Sequence, residues 1–125
     1  MSILFMKKIL LYFIFISLFS CSFLERKNGI EFKIENNSNS TIRDLKFFTS
    51  ERTEIKKFEN IQSNQNIADF LNMTKNKSDG HFILEFTKAN GKKVSRNYGY
   101  YTNGKALEKE IKFEIENDTI FVKFN

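Results

Sequence analysis

Between Gly29 and Glu35 the chain alternates strictly between apolar and charged residues. Successive side chains of a β-strand point to opposite faces, so this period of two places Ile30, Phe32 and Ile34 together on one face. The segment therefore predicts a strand that is buried on one side and solvated on the other.

A polar turn at residues 36–40 separates this strand from a second one, around residues 42–49. The second strand buries Leu45 and Phe47, which are two positions apart. Phe48 points to the opposite face, and an aromatic residue there indicates a bulge or a second contact surface.

The segment 51–73 has two interpretations, because its apolar residues follow no single period. We favour two irregular strands, one on each side of Ser63; the alternative is a short helix that Ser63 or Asn64 caps. The apolar positions involved are Ile55, Phe58, Ile61, Ile67, Phe70 and Leu71.

A hairpin is predicted around Asn90-Gly91, after a polar stretch that ends in the turn signal Asp79-Gly80. A two-residue turn would place Phe86 opposite Ser95. A three-residue loop at residues 89–91 instead places Phe86 opposite Val94 and keeps apolar residues on one face, with Phe82 opposite Tyr98. We predict this second register, which also gives Gly91 the left-handed conformation that such loops require.

The last hairpin turns at Asn117-Asp118. Pairing outward from this two-residue turn places six apolar residues on one face, as the pairs Ile115–Ile120, Phe113–Val122 and Ile111–Phe124. Phe121, opposite Glu114, is the exception on a mostly charged outer face.

Six or seven strands of this kind in residues 30–125 predict an all-β domain. We expect a small two-sheet antiparallel sandwich, immunoglobulin-like in architecture, that follows an amino-terminal signal helix. A small barrel is the alternative.

The first 20 residues have the proportions of a secretory signal peptide. Lys7 and Lys8 precede an apolar run, Ile9 to Phe19, which as a helix spans roughly 16 Å, about half of a bilayer's hydrocarbon core. This run is too short to cross a membrane and fits the apolar region of a signal peptide. Translation starts at Met1 or at Met6, since a basic pair normally lies close to the start.

The tetrapeptide Leu18-Phe19-Ser20-Cys21 resembles the lipobox of bacterial lipoproteins. The resemblance implies that the leader, residues 1–20, is cut before Cys21, that the Cys21 thiol carries a diacyl lipid, and that residues 21–29 form a lipidated tether. Two or three acyl chains anchor a soluble domain stably, because each buried methylene contributes about 0.8 kcal/mol. The alternatives are a cleaved signal followed by a free cysteine, and a retained signal anchor.

The residues after Cys21 bear on the destination of the lipoprotein. No aspartate follows Cys21, so by analogy with enterobacterial lipoproteins we expect the outer membrane. The tether also lacks the dense acidic stretch that takes some Bacteroidetes lipoproteins to the cell surface, which favours the periplasmic face.

Residues 79–125 resemble small uncharacterised lipoproteins of the Bacteroidetes, a group that implies no activity.

The net charge and the residue types that could bind a ligand or catalyse a reaction limit the possible functions. Removal of Lys7 and Lys8 with the leader lowers the net charge from +5 to +3, and the remaining basic residues are interspersed with acidic ones, which argues against a nucleic-acid partner. The single cysteine excludes an internal disulfide, and His81 has no neighbouring ligand in sequence. The five glycines are isolated, so no phosphate loop is present. We therefore expect no cofactor, no metal and no enzymatic activity.

The stretch 97–104 is the most distinctive part of the domain, because it combines three tyrosines with amides and glycines. Such residues make a flat surface on which a sugar or a peptide stacks. The alternative is that Tyr98 and Tyr100 pack inward beside an ordinary turn. The candidate ligand-binding residues are Asn97, Tyr98, Tyr100, Tyr101 and Asn103.

Lipidation and a small β-domain without a catalytic group together predict a non-catalytic envelope protein. The first hypothesis is that it binds a protein partner, including an immunity or inhibitor role. The second is a glycan-binding module that uses the region from Tyr98 to Tyr101.

Overall fold

The structure is a computed structural model, which describes residues 3–11 and 27–125. Residues 3–11 form a helix, which covers the first part of the predicted signal segment. The lipobox with Cys21 lies outside the described residues, as does most of the apolar run. Within the described ranges, no helix is long and apolar enough to span a bilayer.

Residues 29–124 form eight strands, one more than the upper limit of the sequence prediction. The strands are β1 (Gly29–Asn36), β2 (Ile42–Thr49), β3 (Ile55–Ile61), β4 (Asn66–Asn72), β5 (Gly80–Thr87), β6 (Lys93–Tyr101), β7 (Glu110–Ile115) and β8 (Ile120–Phe124). The segment 51–73 contains β3 and β4, so the interpretation as two strands is confirmed and the helical alternative is wrong.

The strands form a two-sheet sandwich, as predicted. Sheet I has the order β4-β1-β7-β8, and sheet II has the order β3-β2-β5-β6. All pairs are antiparallel except β1 and β7, which run parallel. The predicted antiparallel sandwich is therefore confirmed, and the parallel pair β1–β7 is one exception that the sequence did not predict. Alternation tells which face of a strand is buried, but not which strand lies beside it.

Both hairpin registers predicted from the sequence are confirmed. In the β5–β6 hairpin Phe86 lies opposite Val94, and Gly91 has a φ of 84°. In the β7–β8 hairpin the six inner residues pair as predicted, and Phe121 lies opposite Glu114. Turn chemistry and the period of two fix these registers locally.

Phe48 forms a second contact surface, which was one of its two interpretations, and the β2 strand has its bulge earlier, at residues 43–46. Its pairing with β5 shifts between Arg43 and Lys46, and Asp44 has a φ of 50°. Phe48 lies on the outer face of sheet II between the backbones of Ile55 and Ile83, and the guanidinium carbon of Arg52 lies 4.7 Å from its ring centroid. This cation–π contact covers an aromatic ring that the core does not reach.

The core between the sheets is built around Phe47, which is fully buried. Its ring centroid lies 4.6 Å from that of Phe32, 5.6 Å from that of Phe113 and 6.0 Å from that of Phe82. The pairs with Phe32 and Phe113 are tilted or edge-on and the pair with Phe82 is stacked, and such aromatic pairs add to the stabilisation from area burial. The core thus joins β1 and β7 of sheet I to β2 and β5 of sheet II.

The loops gather at the two ends of the sandwich. The end from which the chain enters β1 also holds loops 50–54, 73–79 and 102–109, and we call it the tether end. The far end holds loops 37–41, 62–65, 88–92 and 116–119. The eight residues of β1 lead from one end to the other over roughly 26 Å.

Candidate functional site

A bulge in β6 decides where the tyrosines of the candidate site point. Gly99 has a φ of 55°, and the pairing of β6 with β5 shifts between the partners of Phe82 and Gly80. One residue is thereby added to β6, so Tyr98 and Tyr101 both face the core although they are three positions apart. Tyr98 packs edge-on against Phe113, with ring centroids 5.1 Å apart.

The predicted flat stacking surface does not form. Tyr101 is fully buried, whereas the side chain of Tyr100 is 65% exposed on the outer side of β6. The structure therefore contradicts Tyr101 as a ligand-contacting residue, and it also contradicts the alternative in which Tyr100 packs inward. The bulge is the physical reason, since it reverses the facing of every residue after Gly99.

The two candidate asparagines are exposed but lie in different settings. Asn97 is on the outer side of β6, and Asn103 is in the turn after β6, where it has a φ of 50°. The backbone amide of Asn103 donates a hydrogen bond to Asp79 Oδ1 at 2.8 Å. Tyr100 remains the one exposed ring of the three tyrosines in this stretch.

Tyr101 instead takes part in a polar network that holds the tether end together. Its hydroxyl donates to Glu51 Oε2 at 2.6 Å, and Glu51 Oε1 accepts from the backbone amides of Lys77 and Ser78 at 3.0 and 3.1 Å. These hydrogen bonds, first of all the one from Tyr101, lower the pKa of Glu51 from its ordinary value. Burial, followed by the adjacent Glu51 carboxylate, raises the pKa of the Tyr101 hydroxyl.

Asn76 extends this network without leaving a free group for a ligand. Its amide nitrogen donates to Thr49 Oγ1 at 3.1 Å, and its amide oxygen accepts from the Thr53 hydroxyl. Every buried side-chain nitrogen and oxygen of the described residues has a hydrogen-bond partner. The network is accordingly a structural tie between loops 50–54 and 73–79.

His81 is half-buried at the start of β5, where its backbone amide donates to Ser50 Oγ at 3.2 Å. Among the described residues no group of three or more His, Cys, Asp or Glu side chains is arranged to hold a metal ion. The strand position of His81 agrees with the location that the sequence predicted for it.

A groove runs along one open side of the sandwich, between the edge strands β6 and β8. This β6–β8 groove has a volume of about 580 Å³. Its floor includes inner-face residues that the core covers only in part, namely Val94, Tyr98 and Ile120. The lining residues are Phe86, Lys88, Lys92, Lys93, Val94, Ser95, Arg96, Asn97, Tyr98, Glu116, Asp118, Thr119 and Ile120.

Contacts between the two sheets close the groove at both of its ends. At the tether end the Phe124 ring packs on Gly99, so closely that a Cβ atom there would lie 2.7 Å from the ring. At the far end Lys88 Nζ donates to the carbonyl oxygen of Asn117 at 3.2 Å. The opposite side of the sandwich is bridged by the ion pair between Lys56 and Asp69, with an N–O distance of 3.3 Å.

Arg96 is the groove residue that the sequence analysis missed. Its partner in the β5–β6 register is the buried Leu84, so Arg96 occupies an inner-face position between Val94 and Tyr98. No ion pair joins Arg96 to a carboxylate of the described residues. The signal was a charged residue at an inward position of the alternation Val94-Ser95-Arg96-Asn97-Tyr98.

A second groove, of about 850 Å³, lies at the tether end. Lys27, Phe70 and Leu107 line it together with residues of mixed charge, and the Leu107 side chain is 54% exposed. This groove adjoins the point at which the chain enters β1.

Comparison with known proteins shows the fold but no family. No protein-family model matches the chain, and no curated protein matches it. A solved structure, an NMR structure of a protein from Eubacterium rectale, is similar with a TM-score of 0.54 and 13% sequence identity. The match covers 78% of this chain and 89% of that protein. At this identity the similarity concerns the arrangement of the strands alone.

Proposed function

We propose that the chain is a bacterial envelope lipoprotein, anchored to the outer membrane on its periplasmic face by acyl chains on Cys21. The observation that carries this proposal is the order of sequence features: the pair Lys7-Lys8, the apolar run and the lipobox that ends at Cys21. The domain from β1 to β8 supplies the soluble part that such an anchor holds.

The anchor fixes which end of the sandwich faces the membrane. Five residues lie between Cys21 and Lys27, where the second described range begins, and six fully extended Cα–Cα steps reach at most about 21 Å. The tether end with Leu107 is thus held close to the lipid surface. The far end and much of the β6–β8 groove are directed away from it.

We propose further that the domain binds a protein partner without catalysing a reaction, as an immunity or inhibitor protein does. The open β6–β8 groove supports this role, because it combines partly covered apolar side chains with free strand edges and basic residues. A glycan-binding role has weaker support, since only Tyr100 of the tyrosines in 97–104 is exposed.

Photo-crosslinking in living cells tests the partner-binding role. A photoreactive phenylalanine derivative replaces Asn39, Lys93 or Asp118 in separate full-length variants, and Lys105 at the tether end serves as the matched control. We expect a discrete crosslinked product with another protein from at least one of the first three positions and none from Lys105. No such product from any of the three would contradict a protein-binding function.

A further inference from the structure

Among the described residues, no strand pairs with the outer edge of β8, and the register of β8 tells which backbone groups lie along this free edge. Thr119 accepts from Glu116 at one end of the ladder, and Asn125 exchanges two hydrogen bonds with Glu110 at the other end, at 3.0 and 3.2 Å. Bonded and non-bonded residues alternate in an antiparallel pair, so Phe121 and Lys123 also bond to β7. The amides and carbonyls of Ile120, Val122 and Phe124 therefore point away from the sheet.

The same reasoning applies to β6 across the groove. The Lys88 amide donates to the Lys92 carbonyl oxygen at 2.8 Å, which makes this pair the first bonded pair of the hairpin. Val94, Arg96 and Tyr98 then bond to β5, and the backbone groups of Lys93, Ser95 and Asn97 face outward. Two free edges thus border one groove.

The inner faces of these edges carry a specific pattern of side chains. On β6 the pattern is apolar, basic, apolar: Val94, Arg96 and Tyr98. On β8 it is entirely apolar: Ile120, Val122 and Phe124. Lys88, Lys92 and Lys93 also line the groove, toward its far end, whereas Glu116 and Asp118 are the acidic lining residues. The charge of the groove favours an occupant with acidic side chains.

We propose that the β6–β8 groove binds an extended, acidic segment of the partner protein, which adds as a strand to the free edge of β8. This inference rests on the proposed partner-binding function. The added strand pairs with the backbone groups of Ile120, Val122 and Phe124, and its inward side chains alternate with a period of two. An acidic side chain of this strand pairs with Arg96, and the apolar side chains two positions away contact Val94 and Tyr98.

A second explanation of Arg96 makes a different prediction. Charged residues that point inward on an edge strand also prevent edge-to-edge association between copies of a protein. In that case removal of the charge produces oligomers, and acidic segments show no preference for the groove.

The test uses the full lipoprotein, purified in detergent, and a random 12-residue peptide library displayed on phage. We expect enrichment of peptides in which an acidic residue stands two positions from apolar residues. The best peptide, made synthetically, should bind Arg96→Glu at least 10-fold more weakly than the wild type, a loss of about 1.4 kcal/mol. Lys57→Glu is the matched control, since it makes the same charge change on the outer side of β3.

Hydrogen exchange of single amides then tests the strand addition. Bound peptide should slow exchange at Ile120, Val122 and Phe124 by at least 10-fold and leave Phe121 and Lys123 unchanged, since these two already bond to β7. The same peptide with N-methylated backbone positions should lose binding. Arg96→Gln repeats the affinity measurement with a milder change if Arg96→Glu does not fold.

Three results would overturn the inference: no enrichment of acidic peptides, equal affinity of wild type and Arg96 variants, or protection that lies elsewhere. If Arg96→Gln forms oligomers and the wild type binds no peptide, Arg96 prevents edge-to-edge association between copies of the protein and does not bind a partner. Crosslinks from Asn39, which does not line the groove, combined with any of these three results would leave partner binding intact and refute only the groove as its site.

Discussion

Replacement of Gly99 by alanine tests the bulge that directs the Tyr101 side chain into the core. Gly99 has a φ of 55°, in the left-handed region that disfavours residues with a Cβ atom. A Cβ atom there would also lie 2.7 and 2.9 Å from two carbons of the Phe124 ring. The substitution therefore combines a backbone cost with a steric clash.

Gly91 is the matched control, because it isolates the backbone cost. Its φ is 84°, and a Cβ atom at this position would have no neighbour within 4 Å. The left-handed conformation costs an alanine about 1–2 kcal/mol, part of which the reduced entropy of the unfolded chain offsets. We expect Gly91→Ala to lower the free energy of unfolding by about 1 kcal/mol.

Gly99→Ala should lower the free energy of unfolding by more. Displacement of the Phe124 ring adds about 1–2 kcal/mol to the backbone cost, as in other overpacked sites, for a total of about 2–3 kcal/mol. Phe124 is half-buried at the end of the edge strand β8, so the ring moves without disturbing the central core.

Urea unfolding of the protein, followed by circular dichroism, measures the effect of both substitutions. A double-mutant cycle with Phe124→Ala identifies the clash, since Gly99→Ala in that background should cost only about 1 kcal/mol. Equal costs for Gly91→Ala and Gly99→Ala in the wild-type background would refute the contact between Phe124 and Gly99. An unchanged cost of Gly99→Ala beside Phe124→Ala would refute it independently.

Three further predictions concern the polar contacts. Tyr101→Phe should lower the free energy of unfolding by about 1 kcal/mol in urea titrations, because it removes the hydrogen bond to Glu51. Tyr100→Phe, on the exposed side of β6, should change the free energy of unfolding by less than about 0.5 kcal/mol. Equal effects of the two substitutions would contradict the bulge. The pKa of Glu51 is lower in the folded state than its ordinary value of 4.5, so the ionised Glu51 contributes stability above pH 4.5. This contribution is lost as the pH falls through the lower folded pKa. Melting temperatures measured against pH should show this loss of stability in the wild type and a smaller loss in Glu51→Gln. Lys56→Ala should lower the free energy of unfolding by at most about 1 kcal/mol, since the ion pair between Lys56 and Asp69 is partly exposed. A larger loss in urea unfolding would contradict this small contribution of the ion pair.

The parts of the fold that the sequence predicted are those that depend on local chemistry. The alternation in β1 and the turn residues of the last two hairpins determine the buried faces and both registers, because a shift of one residue would expose the apolar set. The parallel pairing of β1 with β7 and the order of the sheets depend on residues far apart in the chain. A single sequence does not show those neighbours.

The candidate site was predicted less well than the fold, and one residue explains why. Gly99 sits between Tyr98 and Tyr100, where a strict period of two would point both rings the same way. The bulge at Gly99 breaks this period and buries Tyr101 in place of Tyr100. The groove escaped prediction because it arises from two edges, β6 and β8, that only the packed sandwich brings together.

Lipid attachment at Cys21 determines where the domain is held, and intact mass together with detergent partitioning measures this attachment. The full chain is expressed in a bacterium, and the wild type is compared with Cys21→Ser. We expect a wild-type product that begins at residue 21, is heavier by two or three acyl chains and enters the detergent phase, while Cys21→Ser stays in the aqueous phase. A wild-type product without added acyl mass that stays in the aqueous phase would contradict the lipoprotein assignment.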